Sequence, residues 1–177
     1  PNKKKPFHLL FNMATGSGKT LIMAADILYL YERGYRNFIF FVNSTNIIKK
    51  TKDNFTNLLS NKYLFAEDIK FNNKKVRVTK VDNFEAVNSE DINILFTTIQ
   101  GLHKRLNDPK ENSITYEDFD EKRIILLSDE AHHINTLTKL KKDNQKSLFE
   151  EGNGLKDIKG LNKDEEQELR SWEGTVM

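Results

Sequence analysis

The sequence predicts an α/β protein, a parallel sheet covered by helices, and three observations carry that reading. An apolar run, a polar or glycine-rich turn and a helical run follow one another twice in the first 59 residues. Further strand-length runs recur, β-branched and aromatic at 92–99 and fully apolar at 124–127. The later strand candidates end in hydroxyl, amide or carboxylate residues, at the ends where open parallel sheets gather their ligands.

The first strand is expected over His8–Met13, a short apolar run leading into glycine. A helix is expected over Thr20–Tyr31, with Leu21, Ala24, Ala25 and Leu28 at helical spacing and Gly34 as its stop. Phe38–Val42 is the second buried strand, followed by Asn43, Ser44 and Thr45 and a helix through Ile47, Ile48 and Phe55 to Leu59. Val76–Val81 alternates and predicts a short strand. Ile92–Ile99 is β-branched and aromatic, and a helix carrying His103, Lys104 and Arg105 should follow it and stop near Pro109. Lys110–Glu121 is polar and read as loop; Ile124–Leu127 is a further buried strand. Beyond it, 135–163 is lysine-rich and broken by Gly152, Gly154 and Gly160, the pattern of a polar insertion. Asp164–Trp172 has helical character, with acidic residues in its first turns.

The 177 residues suffice for one α/β domain, so residues 1–177 are expected to form a single lobe. With 28 basic and 26 acidic residues the net charge is only +2, so any hold on nucleic acid must be local rather than by bulk charge. Cysteine is absent, which excludes disulfides and thiolate metal sites and fits a reducing, cytoplasmic setting. No apolar run approaches the ~18 residues of a membrane span, so no membrane partner is expected.

Chemistry concentrates in two segments. In MATGSGKT, Met13 to Thr20, glycines between a strand and a helix allow a tight fold whose N–H groups converge on an anion. The helix start adds partial positive charge. Thr15, Gly16, Ser17, Gly18, Lys19 and Thr20 are therefore the candidate phosphate cradle. Lys19 would reach the β- and γ-phosphates of ATP and the Thr20 hydroxyl would hold Mg²⁺. Met13 stands where the strict pattern has glycine. The second segment, SDEAHH, Ser128 to His133, follows the apolar run at 124–127. Asp129 at a strand's carboxyl end can hold Mg²⁺, and Glu130 beside it can orient or deprotonate the attacking water. His132 and His133 are adjacent, not four apart on one helix face, so a zinc site is not expected.

Together these segments resemble motifs I and II of superfamily-two helicases and translocases. The double histidine of DEAHH, with SWEGTV at Ser171 to Val176, is most similar to the restriction subunit of type III restriction-modification enzymes. The resemblance implies a RecA-like first motor lobe of a P-loop NTPase, with Lys19 and Thr20 on phosphate and Mg²⁺, Asp129 on Mg²⁺ and Glu130 as catalytic base. It implies that His132 couples the nucleotide site to the DNA track. It also assigns Asn43, Ser44 and Thr45, and Thr97, Thr98 and Gln100, to the two motifs that touch one DNA strand. Hydroxyls and N–H groups at helix starts do bind phosphate without reading sequence.

The partners implied are duplex DNA, a methyltransferase subunit that recognises the site, and the parent's second RecA-like lobe and nuclease domain. A type I restriction motor or general DNA helicase is the neighbouring alternative. A P-loop small-molecule kinase or a nucleotide-dependent scaffold module is the alternative of another class. No adenine-reading glutamine motif precedes the loop and no Ser-Ala-Thr motif follows. The second lobe would supply the arginine that neutralises charge developing in hydrolysis, an effect of roughly 10³–10⁵ in rate. The isolated chain is therefore expected to bind ATP weakly and hardly to hydrolyse it.

Overall fold

The structure, a computed structural model, describes residues 9–42, 44–108 and 110–129. The elements run α1 (Lys19–Glu32), β1 (Asn37–Val42), α2 (Thr45–Thr56), β2 (Ile69–Phe71), β3 (Lys74–Val76), β4 (Val78–Val81), β5 (Ile92–Thr98), α3 (Ile99–Asn107), α4 (Tyr116–Glu121) and β6 (Ile124–Ser128). Four strands form one parallel sheet in the order β4-β5-β1-β6, with helices on both faces. The α/β class expected from the sequence is therefore the fold.

Burial on both sides explains why Phe38–Val42 of β1 and Ile94–Phe96 of β5 are apolar at successive positions rather than alternating ones. Phe38, Phe40 and Val42 of β1, with Ile92 and Ile94 of β5, face α1 and α2, meeting Ala24, Ile27, Tyr31 and Phe55. The intervening residues Ile39, Phe41 and Leu95 face the other way, onto Ile99, Leu102 and Leu106 of α3 and onto Ile114. Phe55 is fully buried, with ring centroids 6.3 Å from Phe40, 5.5 Å from Phe65 and 6.3 Å from Phe96. Side chains of this size contribute about 1.5–3 kcal/mol each on burial, so this aromatic cluster fixes how α2 lies on the sheet.

Three expectations need correction. The strand expected over His8–Met13 is not formed: Leu9–Met13 has no regular structure, and Leu9, Leu10 and Phe11 are 71%, 70% and 53% exposed. Strands are stabilised by ladder partners, and among the described residues nothing pairs with the outer edge of β6, where the sheet ends. Lys110–Glu121 is not wholly loop. Thr115 and Asp118 start α4, the Thr115 N–H donating to Asp118 Oδ2 at 2.9 Å, while the Lys122 ammonium bonds Oδ1 from the next turn. The single strand expected over Val76–Val81 is divided at Arg77, whose N–H donates to Asp91 Oδ1 at 3.0 Å. Val76 belongs instead to an antiparallel hairpin of β2 and β3, turned by Asn72 and Asn73 at φ 50° and 64°. Positive φ at both central residues is the type I′ signature, which asparagine tolerates. The 135–163 insertion and the helix at Asp164–Trp172 lie outside the described residues.

Candidate nucleotide site

Residues 14–18 form a compact turn, closed by Ser17: its N–H (3.3 Å) and its hydroxyl (2.6 Å) both donate to the Ala14 carbonyl. Gly16 and Gly18 lie at φ +78° and +93°, the left-handed region that an L side chain resists. At both, an added Cβ would meet nothing within 4 Å, so glycine serves the backbone conformation here and not a close contact. Gly18 is the N-cap of α1; its carbonyl accepts from Leu21 N (2.9 Å) and Ile22 N (3.1 Å), and no side chain caps the helix. The first N–H groups of α1 therefore lack the intramolecular acceptor that Ser, Thr or Asp would supply. That donor set, with Lys19 half-buried at its head, suits an anion.

Topology puts Lys19 at one particular end of the sheet. The far end of α1 is anchored at the amino ends of the strands: the Tyr31 hydroxyl donates to the Glu90 carbonyl at 2.6 Å, two residues before β5. Fourteen helical residues rise about 21 Å, close to the length of the six-residue strand β1. Because α1 runs back along the sheet, its first residue lies toward the carboxyl ends of the strands.

Asp129 directly follows β6 at that same end. Ile125 and Leu127 of β6 pack in the cluster that holds α1. Lys19 and Thr20 thus lie toward the end of the sheet that Asp129 follows. Glu130 and His132 lie outside the described residues.

The candidate DNA-contact residues divide. Pairing of Val42 with Thr98, and of Phe41 with both Thr97 and Ser128, brings the ends of β1, β5 and β6 level. Ser44 is the N-cap of α2 with no side-chain cap bond, and Thr45 is exposed, so among the described residues no side chain caps the first N–H groups of this helix. Thr98 caps α3, its oxygen accepting from Gly101 N at 2.9 Å, which leaves its O–H as the free donor. Gln100 is exposed. Thr97 departs from the expectation: it is 6% exposed and its hydroxyl donates to the Thr98 carbonyl at 3.2 Å, so it braces the turn from inside. Its place on the inward face follows from period-2 alternation, which the triple Thr97-Thr98-Ile99 conceals because two like residues stand on opposite faces. Asn43 lies outside the described residues.

Sequence reasoning missed Gly101. A Cβ there would stand 2.7 Å from Thr97 Oγ1 and 2.9 Å from Thr98 Oγ1, so only glycine lets the two threonines close over the first turn of α3. The signal was present in the sequence, as a glycine three residues beyond a threonine N-cap in an otherwise good helix.

Comparison with known proteins identifies the family. The chain is 46% identical over 151 residues to the probable type III restriction-modification enzyme HindVIP Res subunit of Haemophilus influenzae. That match covers 85% of this chain and 29% of the relative, so the chain spans under a third of the relative's length. No solved structure matches it. Residues 2–163 match the family model described as type III restriction enzyme, res subunit. With nearly its whole length inside that match and 46% identity to the Haemophilus influenzae relative, the chain belongs to the family of type III restriction enzyme Res subunits.

Proposed function

We propose that this chain is the ATP-binding lobe of a DNA restriction motor, a RecA-like unit that couples ATP hydrolysis to translocation or switching on duplex DNA. The observation that carries the proposal is the uncapped, left-handed start of α1 at Gly18, toward the sheet end that Asp129 follows. The N–H groups of residues 16–20 would hold the phosphates, and Lys19 would neutralise charge on the β- and γ-oxygens. Thr20 and Asp129 would hold Mg²⁺, which when bound screens the charge that builds up as the γ-phosphoryl leaves. Glu130 would align the attacking water and take its proton. His132 would pass the state of the site to the DNA side.

Ser44, Thr45, Thr98 and Gln100 would touch the phosphates of one strand, a sequence-blind grip that lets a motor step. In this reading the parent protein adds a second lobe and a nuclease domain, and a methyltransferase subunit selects the DNA site in the cytoplasm. Support for DNA and a methyltransferase subunit as partners comes from the restriction-modification relative.

DNA-stimulated ATPase of the full-length protein tests the reading, comparing wild type with Lys19→Ala and Glu130→Gln. Loss of stimulated turnover by two or more orders of magnitude in both variants is expected. Equal turnover in all three proteins would end the motor assignment.

A further inference from the structure

The outward face of α2 carries a concentration of charge that the nucleotide site does not use. Thr51 and Phe55 bury the opposite face against the sheet. Outward, Asn46, Lys49, Lys50 and Asp53 recur at i, i+3, i+4 and i+7 and all are exposed. Together with Lys52 they line a shallow concavity.

The lysines here differ from several others in the chain. Lys74 is paired with Glu90 (3.1 Å) and Lys80 with Asp82 (3.0 Å), while Lys75 and Lys122 are paired with Asp68 and Asp118. Among the described residues, none of Lys49, Lys50 and Lys52 has a carboxylate partner. The one acidic residue of the concavity, Asp53, accepts from Asn57 Nδ2 at 2.7 Å. Three cations thus surround one carboxylate that is already hydrogen-bonded, on a chain whose net charge is only +2. Fields of this kind attract a polyanion locally.

Position supplies the rest. The helix begins at the carboxyl end of β1, immediately after Ser44, so its uncapped N–H groups and the lysines form one positive stretch. Lys49 lies four residues, about 6 Å, along the axis from Thr45.

We propose that this face of α2 is a DNA backbone-contact surface, with Lys49, Lys50 and Lys52 on successive phosphates of the strand that the helix start engages. The proposal rests on the DNA-motor reading above and extends the contact beyond the motif residues. Lysine binds phosphate as a point charge, so the contact is blind to sequence.

The test is the salt dependence of duplex DNA binding by the full-length protein in its complex. Each lost phosphate contact lowers the slope of log K against log salt by about 0.9. Lys49→Ala combined with Lys50→Ala and Lys52→Ala should lower it by about 2.7, equally on specific and non-specific duplexes. The three corresponding Lys→Arg changes, which keep the charge, should restore it. Circular dichroism verifies that each variant is folded.

An unchanged slope in the triple alanine variant, with binding still weakened by Ser44→Ala and Thr45→Val, overturns this proposal and leaves the motor reading standing. DNA-independent ATPase in the wild type overturns both. A polyglutamate competitor that binds wild type, loses binding in the triple variant, and leaves DNA binding of that variant intact assigns the surface to an acidic protein and also overturns the proposal.

Discussion

Replacing Gly101 by alanine sets two effects of opposite sign against each other. In a helix interior alanine is favoured over glycine by about 1 kcal/mol, and α3 is otherwise an ordinary amphipathic helix. Here, however, the new Cβ would stand 2.7 Å from Thr97 Oγ1 and 2.9 Å from Thr98 Oγ1. Neither hydroxyl is at the end of a long flexible chain, and Thr97 is 6% exposed. Overpacking of this kind costs about 1–3 kcal/mol. Displacing Thr98 also weakens its cap bond from Gly101 N, worth about 1 kcal/mol. The balance is a net loss of about 1–3 kcal/mol, or about 2–4 °C of melting temperature per kcal/mol for a chain of this size.

Thermal unfolding followed by far-UV circular dichroism reads it. Introducing Gly101→Ala into a Thr97→Ala background removes the nearest clash, so the penalty should shrink by more than the ~0.5 kcal/mol that independent sites allow. If Gly101→Ala instead raises the melting temperature, as helix propensity alone requires, the close approach of the two threonines is wrong.

Three further outcomes follow from the same structure. Phe55→Ala opens the aromatic cluster under α2 and should cost about 3–5 kcal/mol in urea denaturation. At Asp118 burial raises the pKa, but bonds from Lys122 and Thr115 outweigh it and hold the carboxyl below its ordinary 3.8. Its contribution to stability is therefore complete above that value and lost as pH falls through the lower native pKa, so Asp118→Asn should flatten the acid limb of the stability profile. Gly18→Ala places a side chain at φ +93° and should weaken nucleotide binding about tenfold, read by fluorescent-nucleotide titration, through a strain of about 1–2 kcal/mol.

Much of this architecture is legible in the chain because burial on two faces leaves uninterrupted apolar runs. Phe38–Val42 stands out for that reason, Ile92–Ile99 by its β-branched and aromatic residues, and Ile124–Leu127 is apolar although β6 is an only partly buried edge strand; the helix after the glycine loop follows from its spacing. The same rule misled at His8–Met13, since hydrophobicity signals a wish for burial while a strand also requires a neighbour to bond with. Short elements escaped notice for a different reason. The hairpin at Ile69–Val76 is held by an Asn72-Asn73 turn and ring contact between Phe71 and Tyr31, and α4 by Thr115 and Asp118, none of which creates periodicity. At the candidate site, residue types nominated the cradle and Asp129, whereas separating Thr97 from Thr98 needed the direction of each side chain. The lysines of α2 could be counted from the sequence, but their lack of carboxylate partners could not.

Convergence of Lys19 and Asp129 on one nucleotide–magnesium group is the claim on which the functional account depends. A double-mutant cycle on Mg·ATP affinity measures it, using wild type, Lys19→Ala, Asp129→Asn and the double variant of the full-length protein. Two groups on the same bound ligand should couple, with the double loss differing from the sum of the single losses by more than about 0.5 kcal/mol. Additive losses within that margin, or undiminished affinity in either single variant, would contradict the account.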